Sequence, residues 1–235
     1  MSLHSIKAEL FSFLGVTQQT CSHKEKLISG IGAFLGILTV YLISIALLDK
    51  TVAVYIIPSM GASAVLLFAA PHVPFSQPWN VFGGHLISAA IGVTCALWIP
   101  NIVLASSIAV GLAVIVMYYT RCIHPPGGAT ALAAVIGSAK LQSLGYLYIL
   151  SPVFLNTMTL LAIALLFNGL FGWRRYPAYL YKKFTEKDLI KQQGYPAIKH
   201  EDFVYALSQV DSFIDITETD ILKIYAIATG KNTTK

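Results

Sequence analysis

Charge is what this sequence has least of. Of 235 residues, 11% are charged and 56% are hydrophobic, against about 25% charged in a soluble domain. Between Leu27 and Trp173 the formal charges are Asp49, Lys50, Arg121 and Lys140, and from Thr51 to Thr120 there are none. No water-facing surface can be built from such a stretch, so the chain reads as a membrane protein. Carboxylates are scarcer still. None lies deep in the apolar block, since Asp49 sits at a span end. That argues against a sodium or metal-cation site, which wants oxygen charge, and removes the usual acidic proton relay. Any proton chemistry would fall to His85 or His124.

Cysteine is also sparse. Cys21, Cys95 and Cys122 are odd in number and match no metal motif or disulfide framework; Cys95 and Cys122 read as packing residues. Metal and cofactor are therefore not expected. The apolar run from Phe11 to Val16 is too short for a signal-peptide core. Ile6, Leu10, Phe13 and Leu14 share one face of a short interfacial helix within residues 1–26. An Arg- and Ser-rich leader is missing. The expected location is a bacterial inner membrane with both termini cytoplasmic, because Lys24 and Lys26 precede the first span and Arg174, Arg175, Lys182 and Lys183 follow the last. The net charge of +5 follows from these flanks and does not point to nucleic acid.

What is abundant is apolar length. A spanning helix needs about 20 apolar residues. Leu27–Leu48, Val81–Ile99, Ile102–Thr120 and Tyr146–Trp173 each qualify. Two further segments are interrupted: Val52–Ala70 at "IIPSMGAS" and Cys122–Ala139 at "IHPPGGAT". "PSMGASAVL" (Pro58–Leu66) aligns without gaps on "PPGGATALA" (Pro125–Ala133), with Pro, Gly, Ala, a hydroxyl residue and Ala in register. The block 27–173 thus reads as two three-segment halves. If the broken segments cross, there are six crossings and the halves are inverted. If they are re-entrant, there are four full spans and the halves are parallel. Arg121 favours six. Each broken segment is expected as an extended lead followed by a half-helix starting near the midplane; Met60–Ala70 as helix covers about 16 Å, half of a core about 30 Å thick. The fold class is all-α, with a short helical tail over residues 174–235. There Thr185 and Thr217 read as N-caps, Gly194 and Gly230 as stops, and Phe203, Leu207 and Val210 as one apolar face.

Paired, interrupted segments at matching positions point to a transporter site. Proline suits the first turn of a helix, glycine lets a ligand approach the backbone, and a helix N-terminus favours an anion. Two facing N-termini would clasp one small anion. The candidate site is Ser59, Met60, Gly61, Ala62 and Ser63 from the first break, and Gly127, Gly128, Ala129 and Thr130 from the second. Arg121, His124, His85, Asn80 and Asn156 are the supporting polar residues, and Gly128→Leu is the substitution expected to abolish uptake. Gly32 and Gly36 read as a small-residue packing face. Asn168 and Trp173 read as packing and interface residues, and His72 as a loop cap.

"HPPGGATAL" (His124–Leu132) resembles the signature of the HPP family of integral membrane proteins. "IPSMGASAVLLFAAPHVPFSQPWNVFGGH" (Ile57–His85) resembles that family's other strongly patterned stretch, and the likeness covers about Leu27 to Trp173. "HEDFVYALSQVDSFIDIT" is similar to a C-terminal extension found there. The resemblance implies a four-span protein connected with transport; some plant plastid and cyanobacterial members are associated with nitrite. The expected function is a transporter or channel for a small inorganic anion, nitrite or nitrate first, with the lipid bilayer and a second copy of the chain (a dimer) as partners. The alternatives are an intramembrane enzyme acting on a lipid or quinone, and a sensor or scaffold working through the tail.

Overall fold

The computed structural model describes residues 21–47, 50–174 and 176–180, together with 10, 13 and 14. The expected tail caps and face (Thr185 to Gly230), the flank Arg175, Lys182 and Lys183, Asp49, and most of the expected N-terminal helix lie outside the described residues. Among the described residues every regular element is helical. A helix satisfies each backbone N–H and C=O within its own segment, which lipid demands. The elements are α1 (His23–Leu47), α2 (Lys50–Ala69), a 3-10 turn (Pro74–Ser76), α3 (Pro78–Trp98), α4 (Ile102–Tyr119), α5 (Pro126–Ile136), α6 (Ala139–Gln142), and a π-helical stretch (Ile149–Phe154) that runs into α7 (Leu155–Gly169).

Among the described residues four helices are long and apolar enough to cross a membrane: α1, α3, α4 and the combined Ile149–Gly169. These are the four uninterrupted spans read from the sequence, with ends shifted by a few residues.

The first break is built differently from expectation. Residues 52–57 are not extended, and no helix starts near Met60. Lys50–Ala69 is one helix with Pro58 inside it. An internal proline costs a helix one hydrogen bond, but membrane helices carry prolines because neighbouring helices and hydroxyls re-satisfy the freed groups. An extended lead would have needed partners along its whole length. As one helix, α2 is about 30 Å long. The second break does interrupt the chain: residues 120–125 carry no helix, and α5 begins at Pro126.

The two breaks differ for a local reason. Arg121 adopts a left-handed φ of 55°. Its N–H donates to Tyr118 O at 3.2 Å and the Cys122 N–H donates to Met117 O at 2.9 Å. That double bond pattern is a Schellman cap, which ends α4. Pro125 and Pro126 then disfavour helix at the residues before them. Pro58 stands alone, and no cap precedes it.

One end of the bundle is closed by a buried arginine. Arg174 Nη1 donates to Phe68 O (3.0 Å) and Asn168 Oδ1 (2.9 Å), and Nη2 donates to Glu25 Oε1 and Ser29 Oγ (both 2.7 Å). The start of α1 and the ends of α2 and α7 therefore meet there. Trp79 Nε1 donates to Thr120 O at 3.1 Å, which sets the start of α3 beside the end of α4. So α1, α3 and α5 run away from the Arg174 end, and α2, α4 and α7 return to it. Exposed Trp79, Tyr118, Tyr119 and Trp173 ring this end, and Trp98 and Tyr146 mark the other. Trp79 and Trp98 sit nineteen residues apart on α3, about 29 Å along the helix. That is the spacing of the two interfaces, where aromatic residues gather.

The helices approach closely through small residues. A Cβ on Gly32 or Gly36 would collide with the Phe68 ring, as well as with Phe167 or Leu160. These two glycines are packing positions, as their spacing indicated. The same logic joins α3 to α5: a Cβ on Gly92 would lie 2.5 Å from Ala131 O. With no hydrophobic force between helices in lipid, such close contact supplies the dispersion energy that holds them.

Arg174 was expected only as a flanking charge, yet its side chain is fully buried and paired with Glu25. Removing one partner of a buried ion pair costs about 3–5 kcal/mol. Arg174→Ala is therefore expected to lower the apparent melting temperature in detergent sharply.

Candidate functional site

The interior of this bundle holds a polar cluster assembled from three separate parts of the chain. Ser63 comes from α2, His85 from α3, and His124 and Thr130 from the second break. All four are fully buried. Ser63 Oγ lies 2.8 Å from His85 Nε2 and 2.8 Å from His124 Nε2. His85 Nδ1 lies 2.7 Å from Thr130 Oγ1, and His124 Nδ1 lies 2.8 Å from Phe75 O. The two imidazole rings meet edge to face with centroids 4.8 Å apart.

The direction of these bonds follows from one fixed point. Phe75 O is a carbonyl and only accepts, so His124 Nδ1 carries a hydrogen. In a neutral ring Nε2 is then an acceptor, and Ser63 donates to it. Ser63 has one hydrogen, so His85 Nε2 must donate to Ser63 Oγ. His85 Nδ1 is left as an acceptor, and Thr130 donates to it. The neutral cluster is thus a one-way chain, Thr130 to His85 to Ser63 to His124 to Phe75, with the histidines in opposite tautomers.

Three features hold this geometry. Ser63 sits on the inner face of α2 because that helix is continuous. His124 is placed by the non-helical lead, which Asn80 Nδ2 grips at Ile123 O (3.0 Å) and Trp79 grips at Thr120 O. Gly84 lets the lead come close: a Cβ there would lie 2.5 Å from His124 Cβ and 3.0 Å from Cys122 O. On the far side, Tyr148 donates to Thr130 O at 3.0 Å. The same tyrosine forms a wall of a cavity of about 170 Å³ lined also by Val93, Ala96, Leu97, Ala134 and Gln142.

Along α3 the cluster lies nearer the Trp79 end. His85 lies six residues beyond Trp79 and thirteen before Trp98, about 9 Å and 20 Å along α3. Two helix N-termini do not face each other across it. Ser63 is inside a helix. At α5 the first two N–H groups are closed by turn bonds, Gly127 to His124 O (2.8 Å) and Gly128 to Pro125 O (3.1 Å). The polar groups at this point are imidazoles and hydroxyls, whose hydrogens are shared among themselves and with Phe75 O, rather than a backbone cradle.

The remaining nominated residues divide. Ser59 and Met60 are buried one turn from Ser63, and Gly127 is buried against Gly84. Ala62 and Ala129 face outward, and Gly61 and Gly128 have room beside them. Arg121 is exposed and serves as the α4 cap. Asn156 Oδ1 accepts from Ser44 on α1 at 2.7 Å, while Asn156 Nδ2 and Thr157 Oγ1 are buried with no protein partner among the described residues. Asn168 and Trp173 join the Arg174 clamp, Trp173 Nε1 donating to Glu25 Oε2 at 2.9 Å. Reading the sequence missed Tyr148, the Phe75 carbonyl and the row Gly84, Ser88, Gly92. That row was visible as small residues four apart in "GHLISAAIG".

A helical bundle with four candidate spans and a buried polar cluster defines a multi-span integral membrane protein. The chain belongs to the HPP family: the description "HPP, transmembrane region" matches residues 18–177. It is similar to two transmembrane proteins of Dictyostelium discoideum. One is 39% identical over 155 residues, covering 64% of this chain and 50% of the relative. The other is 36% identical over 154 residues, covering 63% and 53%. The chain therefore spans about half the length of the curated relatives it matches. No solved structure matches it.

Two substitutions separate packing from exposure at the second break. A Cβ on Gly127 would lie 2.7 Å from Ser88 Oγ and 2.8 Å from Gly84 O, whereas Gly128 meets only Val110 at 3.9 Å. Overpacking costs about 1–3 kcal/mol. Gly127→Ala should lower the apparent melting temperature in detergent, and Gly128→Ala should not. Arg121→Gly should raise it, since a left-handed non-glycine residue costs about 1–2 kcal/mol; a fall would show that the Arg121 side chain contributes more than the cap.

Proposed function

We propose that this protein is a transporter for a small inorganic anion, with nitrite the first candidate, and that the His85–Ser63–His124–Thr130 cluster is its working site. The observation that carries this reading is the composition of the cluster. It sets two ionisable rings inside an apolar bundle, and ionisable groups inside a membrane mark substrate or ion pathways by default. Its members are imidazoles and hydroxyls, which donate hydrogen bonds, and α2 beyond Lys50, α3, α4 and α5 contain no carboxylate. Such a lining repels no anion and offers a metal cation no charged oxygen. The resemblance of the HPP stretch to nitrite-associated members supports the choice of first candidate.

The route would run from the loop at Phe75, past the cluster, towards the cavity behind Tyr148. Tyr148 separates that cavity from Thr130, so passage needs movement of Tyr148 or of α5. Residues 120–125 form a thin, non-helical connection between α4 and α5, suited to act as a hinge.

An enzyme is the second reading, because Ser63 Oγ lies within 2.8 Å of two possible bases, the first requirement for an activated nucleophile. The same hydroxyl is fully buried, with a neighbour on each side and no open face for an ester. Labelling of Ser63 by a fluorophosphonate in detergent would revive this reading.

The test of the transport reading is flux in proteoliposomes containing only this protein, with nitrite, nitrate, formate and chloride offered in turn. Saturable nitrite flux is expected, at least tenfold lower in His124→Ala at equal folded yield. Absence of flux for all four anions, or full flux in His124→Ala, contradicts it.

A further inference from the structure

We infer that the cluster is a binding site for one proton, and that the Ser63 hydroxyl is the two-position switch that lets it load and unload without leaving any member unpaired. The neutral arrangement uses the Ser63 hydrogen to reach His124 Nε2. A second acceptor for that hydrogen is already in place: Ser59 O, one helical turn back on α2, lies 3.0 Å from Ser63 Oγ. When a proton is added at His124 Nε2, that nitrogen becomes a donor. The Ser63 hydrogen swings to Ser59 O, and Ser63 Oγ accepts from both His124 Nε2–H and His85 Nε2–H, filling its two lone pairs. His124 Nδ1–H stays on Phe75 O, and Thr130 still donates to His85 Nδ1. Every donor has an acceptor in both states, and the two differ by one hydrogen ion and one hydroxyl rotation.

The alternative loading position is less well provided. A proton on His85 Nδ1 would turn Thr130 from donor to acceptor, and the Thr130 hydrogen would then have to reach Pro126 O at 3.5 Å. His124 is therefore the ring that charges first. Two protons do not fit together, because the rings are 4.8 Å apart and like charges repel strongly where no water or counter-ion intervenes. The other titratable groups against the cluster are Cys122, in the lead behind Gly83 and Gly84, and Tyr148, on Thr130 O. Neither supplies a negative charge as a neutral group, and α2 beyond Lys50, α3, α4 and α5 hold no Asp, Glu, Lys or Arg. A charged His124 would have no resident counter-ion in the cluster, so a small anion is the partner that neutralises it. That last step, the joint binding of one proton and one anion, rests on the transport reading above. The proton site itself does not.

The test is solid-state nitrogen-15 NMR of the full chain in lipid bilayers, where imidazole shifts distinguish the two neutral tautomers and the charged ring. The six histidines all follow different residues, so carbonyl-13C glycine selects Gly84–His85 and carbonyl-13C isoleucine selects Ile123–His124. At alkaline pH His85 is expected to carry its hydrogen on Nε2 and His124 on Nδ1. On acidification one of the two rings should become charged, His124 first. The same tautomer on both rings, or both rings charging in one step, overturns the proposal. In Ser63→Ala the His85 Nε2–H loses its acceptor, so the neutral His85 tautomer should no longer be fixed on Nε2, while His124 keeps its hydrogen on Nδ1 through Phe75 O; an unchanged His85 tautomer overturns the role given to Ser63. Opposite tautomers with single-proton loading but no anion flux would keep the proton site and remove the transport reading. Nitrite flux with the wrong tautomers would do the reverse.

Discussion

A polar group inside this bundle has no water to turn to, and that constraint shapes the structure around it. Burying an unpaired hydroxyl or imidazole costs several kcal/mol, so four side chains from three parts of the chain must find one another. They do so in a single run of bonds between 2.7 and 2.8 Å, ending on a backbone carbonyl in the loop before α3. Much else is arranged to let that run close. The lead before α5 is non-helical, so His124 can reach Ser63 and Phe75 at once. Gly84 lacks a side chain where His124 passes. Asn80 and Trp79 hold the lead from below.

The Arg174 clamp answers the same constraint at the edge of the membrane. Its guanidinium collects the end carbonyl of α2, the amide of Asn168, the Ser29 hydroxyl and the Glu25 carboxylate. Burial draws its pKa down, and the Glu25 carboxylate opposes that effect. The result is that α1, α2 and α7 are tied together at one end, while α3, α4 and α5 are tied by the lead. The polar cluster lies where these two groups of helices meet, with Ser63 from the first and both histidines from the second. Relative movement of the two groups would stretch the Ser63 bonds first.

Much of this was legible in the sequence, and the failures have specific causes. The four uninterrupted spans stand out because apolar length is a strong signal. Ser63, His85, His124 and Thr130 could all be nominated because polar residues are rare in the block. Their joining through Ser63 could not, since it depends on the rotation of α2 and the path of the lead. The first break was misread because a run rich in β-branched residues before a proline looks like an extended lead, whereas lipid favours keeping the helix. Arg121 was drawn into the site by its neighbours, but its left-handed backbone makes it the end of α4. Arg174 looked like one more flanking charge. Nothing in a linear reading distinguishes it from Arg175, because its burial comes from Glu25, 149 positions earlier in the chain.

The central claim is that the anion meets the histidine cluster. The most direct measurement is titration of the purified, bilayer-embedded protein with nitrite while the side-chain NMR signals of all six histidines are followed. The account predicts a saturable shift at His85 and His124, with His4, His23, His72 and His200 unmoved. Nitrite flux in the same preparation without any change at His85 or His124 would contradict it, because the anion would then be crossing by another path.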